Sequence, residues 1–194
     1  DVYKRQDLSN AGYQSRLCNE WHRKTLAHNT VCWNGTDITS VEPGKCLLFE
    51  NDRVRCKAEN VYEGIDYTRE LKITENSVLD YFQAEGKTGV YDYTFHFEPG
   101  IELSCDLPTE AADLGFSENG YQHVLETKKV KTDQNAVVLR AQLGAESMQV
   151  WVDLQEGQEL FLLKTKDNPV NRIRNTVLIR SVGDKATYQM QLTV

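Results

Sequence analysis

The chain has 194 residues, with 22 lysines and arginines against 29 aspartates and glutamates, and a formal net charge of −7. This length suits one domain, or one domain and a small appendage. The acidic balance argues against a protein that coats nucleic acid, because such a protein needs a basic face. No apolar run approaches the roughly 18 residues that span a bilayer. The sequence therefore predicts neither a nucleic-acid partner nor a membrane partner.

The cysteines do not follow the spacing of a zinc site or of a dense disulfide framework. Their odd number leaves at least one thiol unpaired, which slightly favours a reducing compartment such as a bacterial cytoplasm. A periplasmic or secreted location stays open. The cysteines are Cys18, Cys32, Cys46, Cys56 and Cys105.

The first six residues read DVYKRQ and include no initiator methionine. They resemble the translation of a mosaic-end adapter used to prepare sequencing libraries; the alternative is a natural stretch that matches by chance. We therefore expect residues 1–6 to be an artefact. The expected domain comprises residues 7–194, and the natural protein is expected to begin upstream.

The dominant hydrophobic period from residue 30 onward is two, as in half-buried strands. In residues 90–97, aromatic side chains alternate with polar ones, and the same alternation returns in residues 148–154 and 186–192. Further predicted strands are 46–50, 53–58, 67–74, 77–84, 101–105, 121–131, 136–143, 159–165 and 175–181.

Gly, Pro and Asn turn signals separate these short strands, and no long helical stretch lies between them. The pattern predicts an all-β domain, built as an antiparallel sandwich or as stacked sheets. Two segments differ: residues 15–27 favour a helical turn, and residues 106–120 favour an irregular connection.

Residues 13–31 read YQSRLCNEWHRKTLAHNTV. This stretch resembles the signature of heparinase II/III-like polysaccharide lyases, a superfamily that includes oligoalginate lyases. Residues 58–69, 78–82 and 91–96 resemble strands that follow the signature in that family, so the resemblance covers residues 12 to about 105. The sequence departs from the family at Arg16, where a proline is frequent, and at the turn of residues 33–37.

The resemblance implies the C-terminal β domain of a lyase whose N-terminal α/α-toroid domain lies upstream. Such enzymes cleave uronic-acid-containing oligo- or polysaccharides, of the alginate or heparin type, by β-elimination. This chemistry needs a base, an acid and a group that neutralises the carboxylate. Residues 7–194 alone are expected to be inactive. The alternative is a non-catalytic β-sandwich module that binds carbohydrate or braces a partner domain.

The resemblance also implies residue roles. His28 would be a ligand of a divalent metal, zinc in most family members, together with a histidine and an aspartate upstream of residue 7. The alternative is a hydrogen-bonded histidine beside a strand. Tyr13 would be catalytic, as a proton donor to the leaving oxygen, and the alternative is a packing residue.

Arg16 and Trp21 would bind substrate, Arg16 through its charge and Trp21 by stacking on a sugar. Arg16 belongs to a small basic cluster that could attract a polyanion, although a solvated loop is an equal alternative. Trp21 beside a β layer is more often a core residue. Arg69 is expected to form a buried ion pair, and His96 is expected to have a structural role.

Overall fold

A computed structural model describes residues 15–169 and 171–194. Twelve strands form most of this part of the chain, and all of their pairings are antiparallel. The prediction of an all-β, antiparallel fold is therefore confirmed. The strands are β1 Val31–Trp33, β2 Lys45–Phe49, β3 Arg53–Tyr62, β4 Ile65–Ile73, β5 Ser77–His96, β6 Glu102–Cys105, β7 Thr109–Ala111, β8 Val124–Val130, β9 Ala136–Leu143, β10 Glu146–Asp153, β11 Glu159–Lys166 and β12 Ile173–Thr193.

The two longest strands, β5 and β12, pair with each other along most of their length and fold over together. The ring of Phe82 lies 5.7 Å from that of Tyr93 on the same strand. Eleven residues of straight strand would separate these positions by about 36 Å. The two halves of each strand therefore lie in two stacked layers.

The larger sheet has the order β2-β3-β4-β5-β12-β10-β9-β6, using the N-terminal half of β5 and the C-terminal half of β12. The other halves form the centre of the smaller sheet. Strand β1 pairs with β5, and on the other side β11 pairs with β12, β8 with β11, and β7 with β8. Two layers joined by shared strands are a sandwich, as the alternating pattern predicted.

The sequence pattern divides β5 and β12 into four strands, because glycines interrupt each of them. At these glycines the strands bend and continue. Gly86 has φ +148°, and a Cβ there would lie 2.0 Å from the Gly64 carbonyl oxygen. The register of β12 shifts between Gly183 and Lys185. Glycine thus permits a bend and a close approach here, rather than a turn.

The main core fills the space between the two sheets. Aromatic rings form its centre, and Tyr93 stacks on Tyr188 with centroids 5.1 Å apart. Aliphatic side chains surround these rings. Members of this core include Val31, Ile65, Tyr67, Phe82, Tyr91, Val137, Leu139, Val150, Val152, Leu160, Val177, Ile179 and Met190.

Residues 15–30, here called the covering segment, lie over the outer face of the smaller sheet. Trp21 and Leu26 of this segment form a second buried cluster with Cys32 on β1 and with β11 and β12 side chains. Leu114 and Tyr121 extend that cluster from the 106–123 connection. Both faces of the smaller sheet are therefore buried.

Hydrogen bonds to backbone oxygens attach the covering segment to the sheets. Arg69 Nη1 donates to Asn29 O at 2.7 Å, and Arg174 Nη2 donates to Ala27 O at 2.6 Å. The Asn29 side-chain oxygen accepts from His96 N at 2.8 Å. Arg69 also forms the expected ion pair, since its Nε lies 2.9 Å from Asp80 Oδ1.

The predicted helical turn at residues 15–27 is present as a π-helical turn, Cys18–His22, and a 3-10 turn, Thr25–Ala27. The predicted irregular connection contains the short strand β7, which pairs with β8. The described residues contain no helix long and apolar enough to cross a membrane.

Candidate functional site

No described residues cover the outer face of the larger sheet in the way that the covering segment covers the smaller sheet. Alternate residues of its strands point outward, and two aromatic side chains stand among them. Trp151 on β10 is 42% exposed, and Tyr81 on β5 is 36% exposed. Exposed aromatic rings on an open sheet face are available to a ligand.

Strand register places amide side chains between these two rings. Trp151 pairs with Gln191, and Tyr81 pairs with Gln189, both on the intervening strand β12. The rings are two strands apart, about 10 Å across the sheet, and two residues apart along it. We call this surface the Trp151 platform; it comprises Tyr81, Gln83, Trp151, Gln189 and Gln191.

Hydrogen bonds to neighbouring side chains hold the polar groups of the platform. Gln189 Nε2 donates to Asp153 Oδ2 at 2.7 Å, and Gln191 Nε2 donates to Thr193 Oγ1 at 3.2 Å. The Tyr81 hydroxyl donates to Gln83 Oε1 at 3.2 Å. The Gln189 and Gln191 amides each use one N–H group in these bonds. Each amide therefore has a second N–H group and a carbonyl oxygen with which to bind a ligand.

A cleft of about 640 Å³ adjoins the platform. Gln189 belongs to both, and its hydrogen-bond partner Asp153 lines the cleft, so the two surfaces are continuous. The cleft wall is held by Gln158, whose Nε2 lies 2.7 Å from Ser181 Oγ and 2.9 Å from Thr187 O. The lining residues are Thr132, Asp133, Gln134, Asn135, Asp153, Leu154, Gln155, Glu156, Gly157, Gln158 and Gln189.

The lining is amide-rich and acidic. Asp133, Asp153 and Glu156 contribute carboxylates, and none of the described lysines and arginines lines the cleft. We therefore call it the acidic cleft. The strand pattern predicts outward residues on β10 and β12, but the sequence analysis assigned them no role. The missed signal is Trp151, a large aromatic on the polar side of an alternating strand.

The residues singled out from the sequence lie elsewhere, in or near the covering segment. Tyr13 lies outside the described residues, as does the proposed boundary at residue 7. Arg16 is exposed and pairs with Glu20, with Nε 2.6 Å from Oε1. Trp21 is fully buried, and its Nε1 donates to Lys166 O at 2.8 Å. Its position is that of a core residue, the alternative considered above.

His28 is held within the covering segment. Its Nε2 lies 3.0 Å from His22 O, and its own carbonyl oxygen accepts from the Thr94 hydroxyl at 2.7 Å. In the described part of the chain, no group of three or more His, Cys, Asp or Glu side chains could hold a metal. The described residues do not form a zinc site by themselves, and zinc at His28 stays a prediction.

His96 has the structural role expected of it. Its Nε2 donates to Leu26 O at 2.9 Å, and its Nδ1 accepts from the Thr176 hydroxyl at 2.6 Å. This pairing fits the neutral imidazole. Burial, followed by the positive charge of Arg174, lowers the pKa of His96 well below its ordinary value.

We expect acid to destabilise the protein through His96. Above pH 6.5 the His96 ring is neutral in the folded and in the unfolded protein. Below pH 6.5 the unfolded protein binds a proton on this ring and the folded protein does not. The free energy of unfolding therefore falls as the pH drops from 6.5 toward the lowered pKa of the folded state. Urea denaturation at pH 7 and pH 5 measures the loss. His96→Asn should reduce the difference between the free energies of unfolding at pH 7 and at pH 5. An unchanged difference would contradict the assignment.

Comparisons with known proteins find no family model and no curated protein that matches the chain. Solved structures that resemble it include a galactose mutarotase-related enzyme from Lactobacillus acidophilus, with 9% identity, a TM-score of 0.49 and coverage of 78% of this chain and 71% of that one. A putative aldose 1-epimerase from Escherichia coli K12 has 11% identity, a TM-score of 0.46 and coverage of 91% and 81%. Such similarity concerns the fold alone.

These findings correct the expectation of a heparinase II/III-like lyase. The similar structures are a mutarotase-related enzyme and a putative epimerase, and neither is a lyase. The physical reason lies in the motif itself: Asn29 and His28 bond to β5 and attach the covering segment. The roles given to Tyr13, Arg16 and Trp21 came from that resemblance, and they lose its support.

Proposed function

We propose that this domain binds carbohydrate on the Trp151 platform and in the acidic cleft. The observation that carries the proposal is an exposed tryptophan on an open sheet face, continuous with an amide-lined cleft. A pyranose ring has an apolar C–H face and a rim of hydroxyl groups. An indole face beside carboxamides and carboxylates complements both parts.

Each group has a distinct part in this proposal. The Trp151 ring covers the apolar face of one sugar unit. Asp153 accepts hydrogen bonds from sugar hydroxyls, while Gln189 both donates and accepts. The bond between Asp153 and Gln189 orients both groups before the sugar arrives, which lowers the entropy lost on binding.

The charge of the surface selects among sugars. A uronate would bring its carboxylate close to the side chains of Asp133, Asp153 and Glu156, and like charges repel. Arg140 and Lys72 lie on the same face, but neither lines the cleft. Arg140 pairs with Gln149, on the side of Trp151 away from the cleft, and Lys72 pairs with Leu79 on β5, so that it is three strands from Trp151. The proposed ligand is therefore a neutral oligosaccharide, and a uronate chain is the comparison ligand.

Trp151→Ala is expected to weaken binding of a neutral oligosaccharide at least about tenfold, or about 1.4 kcal/mol. The reason is the loss of the larger and more exposed of the two aromatic faces of the platform. Calorimetric titration with neutral hexose oligomers and with oligoalginate measures the effect. Val182→Ala is the control, since Val182 is 71% exposed and lies on the other half of β12.

Several outcomes of this titration would contradict the proposal. The first is that no oligomer of the panel binds, which would favour a structural β-sandwich that braces a partner. The second is equal affinity in the wild type and in Trp151→Ala. Tighter binding of oligoalginate than of the neutral oligomers would refute the charge argument and restore the uronate ligand.

A further inference from the structure

Two exposed cysteines face each other at the edge of the larger sheet. Cys46 on β2 pairs directly with Cys56 on β3, and both are solvent-exposed. Strand β2 pairs with β3 alone, so the cysteines join the edge strand to its neighbour. They lie three and two strands from the platform residues of β5, and their chemistry is independent of the proposed function.

The backbone geometry of this pair suits a disulfide. Directly opposed residues of antiparallel strands have Cα atoms about 4.5 to 5.5 Å apart. A disulfide spans roughly 4.4 to 6.8 Å between Cα atoms, so a directly opposed pair lies within its range. The side chains of such a pair leave the same face of the sheet, which brings the two thiols within reach of each other. Desolvation, followed by the neighbouring Cys46 thiol, raises the pKa of the Cys56 thiol.

The other three cysteines do not share this arrangement. Cys18 and Cys32 are buried, and burial raises the pKa of the Cys32 thiol to about 12. Cys105 is half-buried and pairs with Leu139 on β9. Only the Cys46–Cys56 pair combines access for a reagent with a second thiol within reach.

We propose that Cys46 and Cys56 form a redox-active dithiol, which a low-molecular-weight disulfide oxidises to a cross-strand disulfide. The thiolate of one cysteine attacks a sulfur of the reagent, forms a mixed disulfide and releases one small thiol. The thiolate of the other cysteine then attacks the protein sulfur of the mixed disulfide. The second small thiol leaves, so the reagent disulfide is reduced to two thiols while the protein dithiol is oxidised.

The product would fasten an edge strand to the sheet. Strand β2 has a bulge between Cys46 and Leu48, and Leu47 is 54% exposed there. A bulged edge strand is prone to open locally. The disulfide would close a short loop around the turn between β2 and β3 and thereby restrict the unfolded chain. The oxidised protein is expected to melt at a higher temperature than the reduced protein.

The test treats the reduced full chain with oxidised glutathione and then maps peptides without reduction. The expected result is a peptide pair linked through Cys46 and Cys56, with two of the five thiols lost to alkylation. The intact mass should fall by about 2 Da relative to the reduced chain, since two hydrogen atoms (two protons and two electrons) pass to the reagent disulfide. In Cys46→Ser, Cys56 should instead retain glutathione as a mixed disulfide.

Cys105→Ser is the matched control, and it should form the same link as the wild type. Both exposed positions tolerate serine, and circular dichroism checks that each variant is folded. Stable glutathione adducts on both Cys46 and Cys56 of the wild type would overturn the proposal. So would a linked peptide found only between two chains, seen as a dimer on a non-reducing gel, or the absence of any linked peptide.

Discussion

Asp92→Ala is expected to lower the free energy of unfolding by about 3 to 5 kcal/mol, because it leaves a buried charge without its partner. Asp92 is fully buried. Arg180 donates to it twice, with Nε 2.7 Å from Oδ1 and Nη2 2.8 Å from Oδ2. The Tyr121 hydroxyl donates to Oδ2 at 2.7 Å. Alanine removes all three hydrogen bonds at once.

The position of Arg180 increases the cost. Its guanidinium lies 5.5 Å from the Phe116 ring centroid and 5.7 Å from that of Phe161, so it is enclosed between two aromatic rings. An arginine so enclosed has little water to replace the lost carboxylate. The Asp92 interactions therefore connect β5, β12 and the 106–123 connection through one carboxylate.

Urea denaturation followed by far-UV circular dichroism measures this effect. Glu59→Ala is the matched control, because it breaks exposed ion pairs in which Lys45 Nζ lies 2.7 Å from Glu59 Oε2 and Lys57 Nζ lies 3.2 Å from Glu59 Oε1. Exposed pairs contribute little to stability, so the control should change little. Equal losses in the two variants would show that burial does not determine the strength of the Asp92 pair.

Trp21→Ala is expected to cost about 3 to 5 kcal/mol of stability, the range for a large buried ring replaced by alanine. The Trp21 ring makes an edge contact with His96, with centroids 6.1 Å apart, and lies 6.4 Å from His123. Its removal leaves a cavity between the covering segment and the smaller sheet. It also leaves the Lys166 carbonyl oxygen without its indole donor.

Trp151→Ala provides the comparison for Trp21, because it removes the same side chain from an exposed position. Surface substitutions usually change stability within about 0.5 kcal/mol. Circular dichroism is the suitable readout, since each variant lacks one of the three tryptophans and its fluorescence cannot be compared directly with that of the wild type. If Trp21→Ala were as stable as Trp151→Ala, the covering segment would not be part of the folded core.

The alternating pattern predicted most of the strands well. The predicted strand at 136–143 coincides with β9, and those at 159–165 and 148–154 differ from β11 and β10 by one or two residues. The pattern missed β1 and β7, which have three residues each. A period of two cannot be recognised in so few residues.

The short motif of residues 13–31 was misleading for a physical reason. A local pattern shows which residue types follow one another, but not which of them meet a ligand. In the fold, Asn29 and Arg69 join the covering segment to the sheets, and Trp21 fills its core. Buried packing and an active site both require specific residue types, so a motif cannot separate them without the tertiary structure.

The sequence by itself determined the all-β class, since alternation along each strand is a local property that burial of one face requires. Only the tertiary structure showed that β5 and β12 each run through two layers, because a glycine can serve as a turn or as a bend. The fold also decided which aromatic side chains are exposed: Trp21 and Trp151 are chemically identical, but the covering segment buries one and the open sheet exposes the other. Pairing across strands likewise brought Cys46 to Cys56 and Trp151 to Gln191. Contacts between residues distant along the chain depend on register and layering, which local residue patterns do not encode.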